Sequence, residues 1–483
     1  MLETAIPARL DRLPWSPWHW RVVIALGVSW LLDGLEVTVV GSLGPALERS
    51  DTLGLTAGEI GWAASAYIGG AVLGALFFGR LADSLGRKRM FLVTLVVYLV
   101  ATVCTAFSFN IWSFALCRFA TGFGIGGEYA AINSAIDELI PARVRGTVDL
   151  AINGTFWVGA AMGAALSIVL LEPSLVGAHY GWRLAFLLGG VLGVAILLVR
   201  RHVPESPRWL IRHGRSDEAE RVVVEIEREV AASRGPLAPV SERLAMRALP
   251  SPGWSEIARL MATRYRRRAV LGLVLMASQA LFYNAIFFTY ALVLARFYGV
   301  PEQHVGYYIF PFAVGNFLGP LILGRLFDSI GRRRMIALTY AIAGLGLIAT
   351  GRAFAVDALT PAQLSVCWSA IFFVASAAAS SAYLTVSEVF PVEMRAIAIS
   401  IFYAVGTALG GFAGPPLYGA IIESGSRQAL FGAYALAGVL MCLAAAVALW
   451  LGVDAERKSL EEVCAPLGCD VDYRGVGATA SKP

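Results

Sequence analysis

This sequence predicts an all-α, polytopic membrane protein with twelve transmembrane helices arranged as two homologous six-helix bundles. Three observations carry that prediction. Hydrophobic residues make up 57% of the 483 and charged residues only 15%, where an ordinary soluble domain has about 25% charged. The apolar residues gather into segments near the roughly 20 residues that a bilayer core requires of a helix. Two loop motifs then recur at matching places in the two parts of the chain, as an internal duplication would leave them.

The apolar segments lie roughly at 22–42, 60–79, 90–109, 112–136, 148–171 and 182–200, and again at 269–295, 305–323, 335–351, 364–387, 397–421 and 430–452. Six spans, a polar gap and six more spans divide the chain. Residues 1–200 form an N-terminal bundle, 201–268 a linker, 269–452 a C-terminal bundle and 453–483 a tail. In the linker, Asp217 to Val230 reads as a helix of mixed charge, and Pro236, Pro239, Pro250 and Pro252 mark an irregular stretch. It is expected to be solvated and not a separate domain.

Orientation follows from the basic residues of the short loops. Arg80, Arg87, Lys88 and Arg89 follow span 2, Arg143 and Arg145 follow span 4, and Arg325, Arg332, Arg333 and Arg334 follow span 8. The alternate loops hold isolated arginines such as Arg49, Arg296, Arg352 and Arg427. Because cytoplasmic loops concentrate Lys and Arg, the even-numbered loops, the linker and both termini are expected on the cytoplasmic side of a bacterial cell membrane. Topology then accounts for the formal charge of +5, and no nucleic-acid partner is implied. Trp15, Trp18 and Trp20 beside Arg21 read as an interfacial anchor and not as part of a cleaved signal. Six scattered cysteines, Cys464 and Cys469 among them, imply neither disulfides nor a metal.

The duplicated motifs are specific. Gly79–Met90 reads GRLADSLGRKRM, and Gly324–Met335 reads GRLFDSIGRRRM. Glu138-x-x-Pro141-x-x-x-Arg145 after span 4 is matched by Glu388-x-x-Pro391-x-x-x-Arg395 after span 10. Two such halves with a midplane site between them are a known transporter architecture. With these loops, and with Pro204-Glu205-Ser206-Pro207-Arg208-Trp209-Leu210 after span 6, the whole chain resembles the major facilitator superfamily. The loops and PESPRWL resemble its sugar-porter and organic-ion branches. Asp33-Gly34-Leu35-Glu36 resembles the D-G-x-D motif of aromatic-acid/proton symporters, with Glu in the last place as a departure. Of the glutamines expected in span 7 of hexose porters, only Gln279 stands there. Span 5 lacks the proline of the antiporter motif, since Gly154–Gly163 reads GTFWVGAAMG. The resemblance therefore implies symport or uniport, with spans 1, 4, 7 and 10 lining the cavity.

Charges inside spans are expensive and mark function by default. Asp33 and Glu36 are one turn apart on one helix face. Two carboxylates that close, away from bulk water, resist ionising together, which suits a proton carrier. The other reading is static pairing of one of them with Arg118 in span 4. Arg118 could instead neutralise Asp33 or bind an anionic solute. Glu128, Asn153, Trp157, Gln279, Tyr283, Asn284, Asn316 and Tyr383 are candidates for lining a substrate site. In the loops, Asp83 is placed to face the N-terminus of a neighbouring helix, and Asp328, its repeat in the second half, is a further gating candidate. Arg87 and Arg145 would pair with Glu138, and Arg332 and Arg395 with Glu388, as a latch between the halves.

The expected function is secondary transport by alternating access, with proton-coupled symport of a small organic acid, aromatic or otherwise carboxylic. A sugar or polyol porter is the second reading, and a non-transporting receptor the third. No enzyme is expected, because no nucleophile–base set or metal cluster stands out. Residues 122–127, GFGIGG, lie inside an apolar span without a preceding strand, so no dinucleotide or other cofactor is implied. The partners implied are a small solute, protons and lipid, with the protein itself a monomer.

Overall fold

In the computed structural model, residues 2–170, 178–200, 203–240, 244–246, 252–287, 289–300 and 302–467 are described. Twelve long helical segments run through them. In the first half these are α1 (Pro17–Ser42), α2 (Ala57–Leu85), α3 (Arg87–Ala106), α4 (Ile111–Leu139), α5 (Arg145–Leu170) and α6 (Ala178–Arg200). The second half holds α7 (Arg266–Phe287), α8 (Glu302–Ser329), α9 (Arg332–Ala355), α10 (Pro361–Val389), α11 (Arg395–Thr407) and α12 (Arg427–Leu451). A π-helical turn at Ala408–Phe412 and a further helix, Ala413–Glu423, prolong α11. Seven of the twelve are long and apolar enough to cross a membrane on length and composition alone. α4 is not one of them, because it carries Arg118 and Glu128 in its interior.

The helices begin where the local sequence caps them. Thr56 with Glu59 opens α2, Asn110 with Ser113 opens α4, and Thr360 with Gln363 opens α10, each as a reciprocal capping box. The repeated loop motif turns the chain at Gly86 (φ +103°) and Gly331 (φ +115°), a region side chains rarely adopt. Each glycine joins two helices that run back to back, α2 to α3 and α8 to α9.

Packing repeats as well. In each half the first helix packs on the fifth, the second on the fourth and the third on the sixth. Small residues permit this closeness, as in other membrane bundles. A Cβ on Gly34 would stand 1.9 Å from the Phe156 carbonyl oxygen, and one on Gly159 would stand 1.8 Å from that of Leu31. The α1–α5 crossing is therefore closed at the depth of Asp33. Gly122 and Gly126 do the same for α4 on α2. Between the halves, α2 packs on α11 and α5 on α8.

Outward-facing apolar side chains cover the bundle, as lipid contact requires. Exposed aromatics cluster at its two ends: Trp62, Phe109, Trp112 and Tyr307 at one, Trp20, Trp254 and Trp450 at the other. Of the three tryptophans read as an anchor, only Trp20 is exposed. Trp18 is buried, and Trp15 stacks on His19.

Beneath the end where α1 begins and α12 finishes, the terminal end, lies an apron of short helices: Ile6–Asp11, Pro207–Arg212, Ser216–Arg234 and Trp254–Ala262. Ser216–Arg234 buries Ala219, Val223, Ile226 and Val230, a one-face stripe, against Ile6 and Leu10. Arg9 and Arg12 clasp its Glu227 from the other side. One feature departs from the all-α expectation. Leu2–Thr4 pairs antiparallel with Leu244–Met246, a short ribbon that ties the start of the chain to the linker. Cys469 lies outside the described residues.

Candidate functional site

Asp33, Glu36, Arg118 and Glu128 are all buried in the middle of the N-terminal half. Their pairing divides the two acids. Arg118 Nη1 donates to Glu36 Oε1 at 2.5 Å, and Thr102 Oγ1 donates to Glu36 Oε2 at 3.4 Å. Asp33 is not the partner of Arg118. It accepts instead from two phenols, Tyr67 at 3.2 Å and Tyr129. Tyr67 also offers its ring face to Arg118, whose guanidinium carbon stands 4.6 Å from the ring centre. Asp33, Glu128 and Tyr129 line one crevice with Ser29, Trp30 and Tyr98.

The acids part because three residues along α1 turn Asp33 toward α2 and the inner part of α4, while Glu36, a turn further out, reaches the level of Arg118. Sequence spacing shows that they share a face. It does not show which neighbour meets which residue.

One turn toward the terminal end, aromatic rings close the space. Trp30 stacks on Tyr129 at 4.6 Å and meets Tyr383 edge-on at 5.9 Å, and Tyr403 packs on Tyr129 at 4.7 Å. These rings come from α1, α4, α10 and α11, so they bridge the halves. Of them, the sequence reading picked out only Tyr383. Tyr129 carried a signal, because it lies three turns from Arg118 on the same helix face. Tyr67, Trp30 and Tyr403 carried none that distinguishes them from packing aromatics.

The C-terminal half contributes a neutral cluster. Tyr283 OH donates to Asn316 Oδ1 at 2.9 Å, and Asn316 Nδ2 donates to the Phe312 carbonyl at 2.9 Å. Trp157 of α5 reaches across to it, with ring centres 6.2 Å from Tyr283, 5.3 Å from Phe287 and 5.7 Å from Phe312. Gln279 is buried one turn before Tyr283. Asn284 falls on the same helix, and its side chain lies outside the described residues. Asn153 is turned away from this cluster and donates to the Asp149 carboxylate at 3.2 Å.

At the terminal end, the repeated motifs form a buried charge network with near-twofold symmetry. Arg87 pairs with Glu138 and Asp83, each at 3.0 Å. Arg332 pairs with Glu388 at 3.0 Å and Asp328 at 2.7 Å. Asp83 accepts from the Ile397 N–H at the start of α11, and Asp328 from the Gly146 and Thr147 N–H groups at the start of α5. Both aspartates thus cap a helix of the opposite half.

The remaining arginines correct the expected pairing. Arg145 reaches Glu388 at 3.7 Å, and Arg395 reaches Glu138 at 3.4 Å. Each leaves the glutamate of its own motif for that of the other half. The proline of the motif breaks the helix, and the next helix starts at the seam between halves, so its first arginine faces across.

The linker joins the same network. Arg208 of PESPRWL pairs with Glu461 at 2.8 Å and Asp11 at 3.1 Å, and donates to the Glu138 carbonyl at 2.7 Å. Glu205 accepts from the Arg87 N–H at 2.9 Å, and burial holds its carboxyl above the ordinary range. Burial also works against the Glu461 anion, but Arg208 outweighs it and holds that carboxyl low.

A family model described as "Sugar (and other) transporter" matches residues 37–465. The chain is 28% identical over 459 residues to the niacin transporter NiaP of Acinetobacter baylyi, covering 94% of this chain and 99% of that one. It is 27% identical over 459 residues to the gallate transporter of Pseudomonas putida, covering 95% and 97%. Among solved structures it superposes on the proton:xylose symporter XylE with a TM-score of 0.74 at 18% identity, covering 92% and 98%.

Proposed function

The chain belongs to the sugar (and other) transporter family of the major facilitator superfamily, and from that premise we propose that this membrane transporter couples uptake of a small aromatic carboxylic acid to protons. The observation that carries the reading is the separation of the two acids of α1. Glu36 has a cation, Arg118. Asp33 is 4% exposed and, among the described residues, accepts hydrogen bonds from tyrosine hydroxyls and has no cation paired with it. It can take up and release a proton without breaking an ion pair, and a neutral Asp33 changes what Tyr67 and Tyr129 must donate to.

The solute site lies between Asp33 and the neutral cluster of the other half. The Gly34–Phe156 contact sets Trp157 at the depth of Asp33. Trp157, Tyr283 and Phe312 pack on one another here and part to take the planar ring of the solute. Its carboxylate is drawn toward Arg118, the cation in the interior of the N-terminal half. Niacin and gallate, the solutes in the names of two relatives, are both aromatic acids, which favours this class over a sugar.

Alternating access follows from the latch and the aromatic layer together. With the arginine-rich end on the cytoplasmic side, as the positive-inside rule places it, the cross-half pairs of Arg145 and Arg395 hold that side shut. Trp30, Tyr129, Tyr383 and Tyr403 form a second barrier above it. Tyr129 belongs to both that barrier and the Asp33 site, so proton occupancy is felt at the inner barrier directly.

Uptake of labelled nicotinate, gallate and xylose into proteoliposomes, with and without an inward proton gradient, tests the reading. Nicotinate or gallate is expected to accumulate with the gradient. Asp33→Asn is expected to abolish accumulation while keeping exchange of labelled for unlabelled solute. Accumulation that ignores the gradient and survives in Asp33→Asn would sink proton coupling, and xylose uptake without carboxylate uptake would sink the solute class.

A further inference from the structure

Besides Asp33, Glu36 and Glu128 of the middle, the molecule buries further acids that the latch pairs do not use, Asp137 and Asp149 among them. Asp137 ends α4 one residue before Glu138, and Asp149 lies one turn into α5 after Arg145. Both are wholly buried. Neither Asp137 oxygen has a hydrogen-bond partner among the described residues. Asp149 has one at Oδ2, the Asn153 amide at 3.2 Å, and none at Oδ1. The Asn153 Oδ1, itself buried, is also without a donor.

The surroundings are specific. Asp149 feels Asp137 and Glu388 as like charges, and Arg332 as the opposing one. Around Asp137 stand Arg395 and Arg145, with Glu388 and the Ser387 hydroxyl. Those arginines are already matched by carboxylates: Arg332 by Glu388 and Asp328, Arg395 by Glu138, Arg145 by Glu388 and Asp11. With Asp137 ionised beside these pairs, a second further anion at Asp149 would be uncompensated in a site without water access, which costs several kcal/mol. Ionised carboxylates and amide oxygens are only acceptors, whereas a protonated carboxyl donates. Unpartnered acceptors (Asp137 Oδ1 and Oδ2, Asp149 Oδ1, Asn153 Oδ1) outnumber the unpartnered donor Arg145 Nε in this cluster, and a proton supplies a further donor.

We propose that Asp149 is a second proton-binding site, separate from Asp33, with Asp137 as the neighbouring charge that makes it hold its proton while the latch is closed. The proton sits on Oδ1 of Asp149, and Oδ2 accepts from Asn153. Asp149, Asn153 and Trp157 are spaced four apart along α5, so the site lies on a face that leads from the latch to the solute cluster. When Arg145 leaves Glu388 and Arg395 leaves Glu138, water reaches Asp149 and the proton departs on the latch side. The latch thereby becomes sensitive to pH on that side, and one more titrating group enters the transport cycle.

Infrared spectroscopy of the full-length protein in liposomes reads this directly through the carbonyl stretch of protonated carboxylic acids. It needs no transported solute, so its failure is distinct from failure of the transport reading. At neutral pH, Asp149→Asn is expected to remove one component of that band, a component that Asp33→Asn leaves in place. Asp137→Asn is expected to keep the component and shift its loss to lower pH, since a like charge has been removed. An acid-carbonyl region unchanged in Asp149→Asn overturns the proposal. If Asp149→Asn does not yield folded protein, the titration of Asp137→Asn decides, and no shift or a shift upward overturns it.

Discussion

The two halves are closest to copies at the latch and least alike in the middle. At the latch, Asp83, Arg87 and Glu138 have Asp328, Arg332 and Glu388 as their counterparts, and each set makes the same kinds of bond. In the middle, the N-terminal half buries Asp33, Glu36, Arg118 and Glu128. The C-terminal half sets Tyr283, Asn316 and Ser376 at its core, and its spans carry Asp, Glu, Lys and Arg only near their ends. Under the proposed function, a duplicated carrier divides its work. Opening and closing would need both halves to match, and the motif stands in both; proton coupling would need charge in one place only, which leaves the other half to fit the solute.

The largest expected effect comes from breaking the charged side. Arg118→Leu leaves Glu36 buried without its cation, and removal of one partner of a buried pair costs about 3–5 kcal/mol. The detergent-solubilised variant should unfold well below the parent temperature. Arg118→Leu with Glu36→Leu should regain most of that loss, since the pair itself contributes little net stability. A single variant as stable as the parent would mean that the charges of this half are not held as a buried pair.

A smaller effect tests the symmetric end. Asp328 accepts from the Thr147 N–H at 2.7 Å and its hydroxyl at 2.5 Å, while Asp83 accepts from Ile397 N–H at 3.1 Å and Ala396 N–H at 3.4 Å. Charge-assisted hydrogen bonds contribute about 1.5–3 kcal/mol each. Both Asp83→Asn and Asp328→Asn should slow the maximal rate of nicotinate exchange, with Asp328→Asn slower by about fivefold, a difference of about 1 kcal/mol. Equal rates would show the two caps to be energetically equivalent despite their geometry.

Much of this was legible in the sequence, for physical reasons. Spans are read from length and apolarity, the halves from repeated motifs, and candidate sites from charges that a bilayer penalises. Asp83 at a helix N-terminus was legible from the helix dipole; that Asp328 caps a helix in the same way emerged from the fold. Partner choice across helices was not legible. Arg145 and Arg395 were expected beside the glutamates of their own motifs, and Arg118 was open to either acid, because spacing along one helix fixes a face and says nothing of the helix that meets it. Tyr67 escaped for the same reason, and Tyr129 was marked only by sharing a helix face with Arg118. An aromatic in a span is ordinary until the fold sets its hydroxyl on a carboxylate. Asn153 has the residue type of a solute ligand, but Asp149 four residues earlier takes its amide.

The smallest effect sharpens the comparison from the neutral side. Tyr283→Phe removes one hydroxyl and leaves the ring against Trp157 and Phe372. The loss is the bond to Asn316 Oδ1, which then has no donor among the described residues, while its amide keeps the Phe312 carbonyl. A neutral bond of this kind is worth about 1 kcal/mol. If the C-terminal half shapes the solute site and takes no part in proton coupling, KM for nicotinate should rise about fivefold. The maximal rate and the dependence of accumulation on the proton gradient should stay as they were. The two halves make opposite demands on this measurement, since Asp33→Asn is expected to change the gradient dependence and spare exchange. A Tyr283→Phe protein that loses gradient dependence would place proton coupling in both halves and end the division of labour argued from their interiors.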